Sequence, residues 1–244
     1  MDHKIFAIGD LHGHYDELMA LMEKLPISDR DEVVFLGDYV DGGPKTKQVL
    51  DQLIKWDDEN NLWHFLYGNH EDLMLDALVW KQRKYGDWYL WWNQGGKATA
   101  YSYVPDKLSA YERALIQPET LIPTRHLSWL HGRPTFYETK DYFFVHAGLW
   151  PDKSIEEQKK VKYAKDLIWI RDDFINSDYD WGKKIIFGHT TDYNGKYSGT
   201  PFKPIIRKNK IGIDGMAHNV GNLIAVELPD EKFYYQESLS EDYE

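Results

Sequence analysis

Residues 5–12 read Ile5-Phe6-Ala7-Ile8-Gly9-Asp10-Leu11-His12, and the phrase returns twice, as Val33-Val34-Phe35-Leu36-Gly37-Asp38 and as Leu62-Trp63-His64-Phe65-Leu66-Tyr67-Gly68-Asn69-His70. Each is a short apolar run, β-branched or aromatic in character, closed by glycine and a polar residue. That is the pattern of a strand buried on both faces and ending at a sharp turn. Helical patterns lie between the runs. Tyr15 to Leu25 sets Leu18, Met19, Leu21, Met22 and Leu25 on one stripe. Pro44 to Trp56 opens with a proline suited to a first helical turn and carries Val49, Leu50, Leu53 and Ile54. The order β-α-β-α-β predicts a parallel sheet with right-handed crossovers, whose ligands gather at the carboxyl ends of the strands. All three polar phrases fall there.

Further along, residues 71 to 131 read mostly as helices, with Trp88, Trp91 and Trp92 ahead of Gly95-Gly96; this aromatic cluster is read as packing of a helical insert. Strand signals return at Thr135–Thr139, Tyr142–Val145, Lys184–Phe187, Ile205–Arg207, Lys210–Ile213 and Leu223–Leu228, with a helical stretch expected over Lys165–Ile175. The expected organisation is one domain over residues 1–236 with the insert at about 71–131, then a frayed acidic tail over 237–244.

Composition narrows the class. The chain has 244 residues, a hydrophobic fraction of 42% and a charged fraction of 28%, which are globular values. A net charge of −11 with a pI near 5.4 argues against binding nucleic acid through general electrostatic attraction. No apolar run approaches the roughly 18 residues of a membrane helix. The apolar run begins right after Met1-Asp2-His3-Lys4, so no signal peptide is expected, and the lack of cysteine fits a reducing, cytoplasmic setting. Nothing in the pattern fixes an oligomeric state.

The polar residues that directly follow the apolar runs are Asp10, His12, Asp38, Asn69, His70, His146 and His189. Carboxylate, neutral imidazole and amide oxygen are the mixed O/N donors that hard to borderline divalent cations accept. A carboxylate bridging two such ions holds them about 3.5–4 Å apart, the spacing that clamps both oxygens of an in-line displacement. Two dications against two aspartates leave a locally positive site that attracts a phosphate dianion despite the acidic surface. Taken singly, each fragment has a plainer reading. Asp10 could cap a helix, Asn69 could tolerate a left-handed turn, and His146 could be a satisfied core histidine. Their joint occurrence in this order is not explained by caps and turns.

Gly9-Asp10-Leu11-His12-Gly13, Gly37-Asp38-Tyr39-Val40-Asp41-Gly42-Gly43, Gly68-Asn69-His70-Glu71, Val145-His146-Ala147-Gly148 and Gly188-His189-Thr190 resemble the calcineurin-like metallophosphoesterase superfamily. Within it the chain most resembles the bacterial and phage-type serine/threonine phosphoprotein phosphatases, with symmetrical diadenosine tetraphosphatases close by. Trp169-Ile170-Arg171-Asp172-Asp173-Phe174 and Ile213-Asp214-Gly215 through Gly221-Asn222-Leu223 add to the likeness, which spans about residues 4–228. The resemblance implies an α/β fold, a two-sheet β-sandwich flanked by helices with a dinuclear metal site at the strand ends. It implies Asp10, His12 and Asp38 on a first ion, and Asp38, Asn69, His146 and His189 on a second. It also implies His70 as general acid held by Asp41, Arg171 (with Asn69) on the phosphate, and Mn²⁺ or an Fe/Mn pair as the cofactor. The activity implied is phosphomonoester hydrolysis by a metal-bridging hydroxide, on a phosphoprotein or a small phosphoester or nucleotide. The alternatives are a dinucleoside polyphosphate hydrolase, for which Trp88–Trp92 and Tyr101–Tyr103 would have to stack bases, and a catalytically decayed metal-binding protein.

The chain departs from the family phrase at Gly42, where the relatives carry a phosphate-holding Arg, and at Tyr67, where eukaryotic relatives also carry Arg. Lys45 and Lys97 are the candidate substitute cations, and restoring the side chain by Gly42→Arg is expected to lower KM for an aryl phosphate. His3, His14, His64, His126, His131 and His218 are read as surface or structural. Glu71 and Asp72 are read as favouring a helix start through its dipole.

Overall fold

In the computed structural model, which describes residues 3–80, 87–104, 117–217 and 221–239, two five-stranded sheets pack face to face between layers of helix. The first has the order β10-β9-β1-β2-β3, from β1 (Ile5–Ile8), β2 (Glu32–Phe35), β3 (Trp63–Phe65), β9 (Asn222–Leu228) and β10 (Lys232–Glu237). The second has the order β4-β5-β6-β8-β7, from β4 (Phe136–Glu138), β5 (Tyr142–Val145), β6 (Lys184–Phe187), β7 (Ile205–Ile206) and β8 (Lys210–Gly212). The parallel triplets β1-β2-β3 and β5-β6-β8 form the centre, and the outer strands pair antiparallel.

Strand periodicity explains the layers, because successive side chains leave opposite faces. Ile5, Ala7, Val34 and Leu36 meet Phe144, Ile186 and Ile211 in the core between the sheets. Phe6, Ile8, Val33 and Phe35 pack instead with Leu18, Leu21, Val49, Leu50 and Leu53 of helices α1 (Tyr15–Met22) and α2 (Thr46–Glu59). On the far side Phe143, Val145, Ile185 and Phe187 pack with Phe174 and Trp181. The uninterrupted apolar runs exist because each central strand is covered on both faces.

Four expectations are corrected. The first sheet is mixed, since β9 pairs antiparallel to β1 and the unanticipated β10 pairs antiparallel to β9. That last strand carries the fold through Glu237, which pairs with Asn222, and the Leu239 N–H donates to the Glu17 carboxylate (2.9 Å); residues 240–244 lie outside the described residues. Helix α2 starts at Thr46, because Pro44 and Lys45 complete the preceding turn, in which the Lys45 N–H donates to the Gly13 carbonyl (3.0 Å). The stretch Lys165–Ile175 is two short helices, Asp166–Trp169 and Asp172–Ile175, because Ile170 and Arg171 (φ −131°, ψ −102°) leave the helical region. The break sets Arg171 at the carboxyl ends of the strands.

The insert follows β3 as α3 (Asn69–Leu75), a π turn (Asp76–Trp80), α4 (Asp87–Trp91), a second π turn (Trp92–Gly96), α5 (Lys97–Ser102) and the helices Pro118–Leu121 and Thr124–His131. Of its tryptophans Trp91 is fully buried, as read, whereas Trp88 is exposed and stacks on Trp92 at 4.7 Å. No helix among the described residues is long and apolar enough to cross a membrane.

Candidate active site

The polar residues converge because the backbone leaves the strands through unusual turns. His12 (φ +43°), Asp38 (+52°), Asp41 (+70°) and His189 (+61°) all occupy the left-handed region. A side-chain-bearing residue pays about 1–3 kcal/mol there and keeps the conformation only if its surroundings impose it. Glu71 is what imposes it at Asp38. Its fully buried carboxylate accepts from the backbone N–H groups of Asp38 (2.8 Å), Tyr39 (2.8 Å), Val40 (3.3 Å) and Gly68 (2.9 Å), tying the loop after β2 to the start of α3. This role goes beyond the dipole reading, and no local sequence pattern announces it, because three of the four donors lie about thirty residues away.

Two groups of potential ligand atoms share Asp38: His12, Asp38 and His70, and Asp38, His146 and His189, with the atoms of each group within 4.8 Å of one another. Asp38 Oδ2 lies 3.7 Å from His12 Nε2 and 3.3 Å from His146 Nε2, while Asp38 Oδ1 accepts from the His70 N–H (2.9 Å). His12 Nδ1 donates to the Val40 carbonyl (3.1 Å) and His146 Nδ1 to the Leu36 carbonyl (2.9 Å). Each ring is thereby oriented with Nε2 as its remaining donor atom, the arrangement that carbonyl partners give to metal-binding imidazoles. His146 Nε2 meets Asn69 Oδ1 at 2.9 Å, so amide, carboxylate and imidazole donor atoms crowd one point. Asp10 stands beside the two groups, its Oδ2 accepting from the His189 N–H (2.9 Å).

The donor set fits divalent cations. Asp10 Oδ1 and His189 Nε2 are buried without a hydrogen-bond partner, a state that native proteins reserve for groups with some further ligand. Burial, then the charges of Asp214 and Asp38, push the Asp10 carboxyl well above the ordinary range. Cations would offset that repulsion. Burial also favours the neutral form of Asp38, but His146, His70 and His12 outweigh it and hold the carboxyl well below the usual value. Burial, followed by His146 and Arg171, holds His189 well below the ordinary histidine value, leaving the neutral imidazole that metals bind.

His70 Nδ1 lies 2.9 Å from Asp41 Oδ2, and its ring meets that of His12 edge-on at 4.7 Å. Burial lowers the His70 pKa, but Asp38 and Asp41 outweigh it and bring the imidazole up to about 9. Arg171 donates to the His189 carbonyl (2.7 Å) and to Thr190 Oγ1 (3.3 Å). These groups line a cleft of about 650 Å³ whose far walls include Gln94, Tyr193, Lys196 and Tyr197.

Several expectations meet their outcome here. Lys45 pairs with Asp16 and Lys97 lies over the Tyr101 ring, and neither lines the cleft; among the described residues Arg171 and Lys196 do. Nor do Trp88–Trp92 or Tyr101–Tyr103 line it; among the described residues the tyrosines that do are Tyr193 and Tyr197. Gly42 has φ +93° and its N–H donates to the Gly95 carbonyl (3.3 Å), so an arginine there enters with a strained backbone. Asp214 lines the cleft and accepts from the Thr191 hydroxyl (2.5 Å) and the Met216 N–H (3.0 Å). Its signal was visible as the apolar run Ile211–Ile213 closed by Asp214-Gly215, the glycine-and-polar ending of the other strands in reverse order. His218 lies outside the described residues. His64 stacks on Tyr137, and His126 bonds to Tyr103 and Asp51, as structural histidines.

Two sheets between helical layers, with carboxylate, imidazole and amide donors gathered at one end around a shared aspartate, define a metal-dependent phosphoesterase. The chain belongs to the calcineurin-like phosphoesterase family, which it matches over residues 3–214, and is accordingly a hydrolase of phosphoester bonds. It is 28% identical over 232 residues to serine/threonine-protein phosphatase 2 of Salmonella typhimurium, covering 90% of each chain. It is 31% identical over 165 residues to the symmetrical bis(5'-nucleosyl)-tetraphosphatase of Psychromonas ingrahamii, covering 66% of this chain and 49% of that one, so it spans about half of that relative. Its fold superposes with a TM-score of 0.58 on a protein serine/threonine phosphatase from Saccharomyces cerevisiae at 17% identity, covering 99% of this chain and 82% of the other.

Proposed function

We propose that the chain is a phosphomonoesterase acting on phosphoserine or phosphothreonine in proteins, with two divalent ions, manganese or an iron–manganese pair, as its cofactor. Asp10, His12 and Asp38 would hold one ion, and Asp38, Asn69, His146 and His189 the other. The observation that carries the reading is the sharing of Asp38 between two ligand groups with the His70–Asp41 pair beside them.

When bound, the ions supply Lewis acidity and acidify a water for in-line displacement at phosphorus. His70, with Nδ1–H committed to Asp41 Oδ2, holds a second proton on Nε2 for the departing ester oxygen. Asp41 fixes the ring and stabilises its charged form. Arg171, braced by the His189 carbonyl and Thr190, directs its remaining N–H groups at the equatorial phosphate oxygens, where a planar fork binds best. His70 also stands in one ligand group, so His70→Asn separates the two roles: an acid leaves metal content unchanged, a ligand does not.

A second reading, dinucleoside polyphosphate hydrolysis, is favoured by the cleft wall, where Tyr193 is 65% exposed beside Tyr197 and offers a face to a base. Turnover of phosphopeptides against diadenosine tetraphosphate by Mn²⁺-reconstituted protein decides between them. Exclusive turnover of the dinucleotide overturns the first reading, and turnover of none of these substrates nor of an aryl phosphate overturns both in favour of a decayed metal-binding protein.

A further inference from the structure

Besides α3, which carries Asn69 and His70, the helical insert reaches the candidate site beneath Asp41. Asp41 is fully buried, with one oxygen, Oδ2, bonded to His70. The other, Oδ1, accepts two further hydrogen bonds, from Trp91 Nε1 (3.0 Å) and Thr99 Oγ1 (2.8 Å), both on fully buried residues of the insert. Thr99 Oγ1 also accepts from the Asp41 N–H (2.8 Å) and lies 3.3 Å from Thr46 Oγ1. Since the single Thr99 hydroxyl proton goes to Asp41, Thr46 is the donor in that contact.

The chain between Trp91 and Thr99 is shaped for this grip. Helix α4 ends at Trp91, the backbone breaks at Gln94 and Gly95, and α5 then brings Thr99 back to the same carboxylate. Gly95 has φ +104°, its carbonyl accepts from the Gly42 N–H, and a Cβ on it would lie 2.6 Å from the Gly42 nitrogen. Only glycine lets the π turn lie against the Asp41–Gly42 backbone while the residues on either side hold the Asp41 side chain.

We propose that Trp91 and Thr99 are positioning residues for the His70–Asp41 pair, so that the insert sets the aim of the leaving-group proton. The proposal rests on the reading of His70 as general acid. Two donors on Oδ1 fix the carboxylate plane, which leaves Oδ2 as the sole acceptor for the imidazole and fixes the direction of Nε2. A carboxylate freed to rotate would let the ring swing, and misplacement of a catalytic group by about 1 Å costs about 10²-fold.

The test uses Thr99→Val, which removes the hydroxyl at nearly constant size, Thr99→Ser, which restores it, and Trp91→Phe, which keeps a ring and removes the N–H. Each is loaded with Mn²⁺ and assayed on phenyl phosphate, whose leaving oxygen needs the proton, and on dinitrophenyl phosphate, whose leaving oxygen does not. The expected result is a fall in kcat of about 10–100-fold on phenyl phosphate, little change on dinitrophenyl phosphate, unchanged KM and metal content, and recovery in Thr99→Ser. In a His70→Asn background Thr99→Val and Trp91→Phe should lower kcat no further. Equal losses on both substrates, or the same loss with and without His70, overturn the proposal and leave Trp91 and Thr99 as fold residues. Full phenyl phosphate activity in His70→Asn alone overturns the general-acid reading itself. Should Trp91→Phe fail to fold, the two Thr99 variants decide.

Discussion

Replacing Glu71 by glutamine turns one carboxylate oxygen into an NH₂ group where four backbone N–H groups converge. At present Oε2 serves Asp38 and Gly68, and Oε1 serves Tyr39 and Val40. An amide can keep one oxygen in place, but its nitrogen then faces two donors with nothing to accept. Each buried donor left unsatisfied costs about 1–3 kcal/mol, so the substitution is expected to cost about 2–6 kcal/mol in all. In a domain of this size 1 kcal/mol moves Tm by about 2–4 °C, which places the expected drop at roughly 5–20 °C. The same loss releases the strained turn at Asp38, so the variant should also bind less metal. Thermal unfolding by circular dichroism and elemental analysis after gel filtration measure the two effects. A Tm within about 2 °C of the parent together with full metal content would refute the view that Glu71 builds the metal loop.

Other outcomes follow from the same geometry. His70→Asn should lower kcat by about 10²–10⁴ with metal retained, the usual worth of a positioned acid; metal loss on elemental analysis would make His70 a ligand instead. Asp38→Asn should lose both ions and all turnover, because Asp38 belongs to both ligand groups. Burial raises the Glu17 carboxyl, but bonds from His14 and the Leu239 N–H outweigh it and lower the pKa to about 2. This folded value lies below the unfolded one, so the stabilisation is present above about pH 4.5 and lost as pH falls toward 2. Chemical denaturation across that window should show a shallower acid limb in Glu17→Gln, and an unchanged limb would exclude the assignment. Gly42→Arg should destabilise by about 1–3 kcal/mol through its backbone angle, whatever it does to phosphate affinity; a Tm equal to the parent's would show that the loop relaxes freely.

The sequence discloses what is local. Ile5-Phe6-Ala7-Ile8-Gly9-Asp10 reveals a strand, its end and a candidate ligand together, because strand periodicity and turn chemistry act over a few residues. Contacts chosen by the tertiary fold stay hidden. The β10 strand has meaning only beside β9, and the break at Ile170–Arg171 is set by where Arg171 docks on His189 and Thr190. Glu71 looked like a helix-start carboxylate because its neighbours in sequence are not its main partners in space. The aromatic wall of the cleft stayed unread, because Tyr193 and Tyr197 reach it on a loop that carries no periodic pattern. Trp91 reads as insert packing and Thr99 gives no signal of its own, and their bonds to Asp41 appear only once the insert folds back on the loop after β2.

The neighbours of β1 carry a consequence for how the molecule is made. Ile5–Ile8 is synthesised before the other described strands, yet one of its two partners, Asn222–Leu228, comes next to last among them, and the Gly9 N–H that steadies the turn before Asp10 waits for the Ile224 carbonyl. The nascent chain therefore carries Asp10 and His12 beside an open strand edge throughout nearly all of its synthesis, the kind of edge that pairs with the wrong neighbour. Loading of the proposed cations would in consequence come late in biogenesis, and truncation between His189 and Asn222 would yield a chain that owns every ligand and lacks the strand that completes the sheet beside β1.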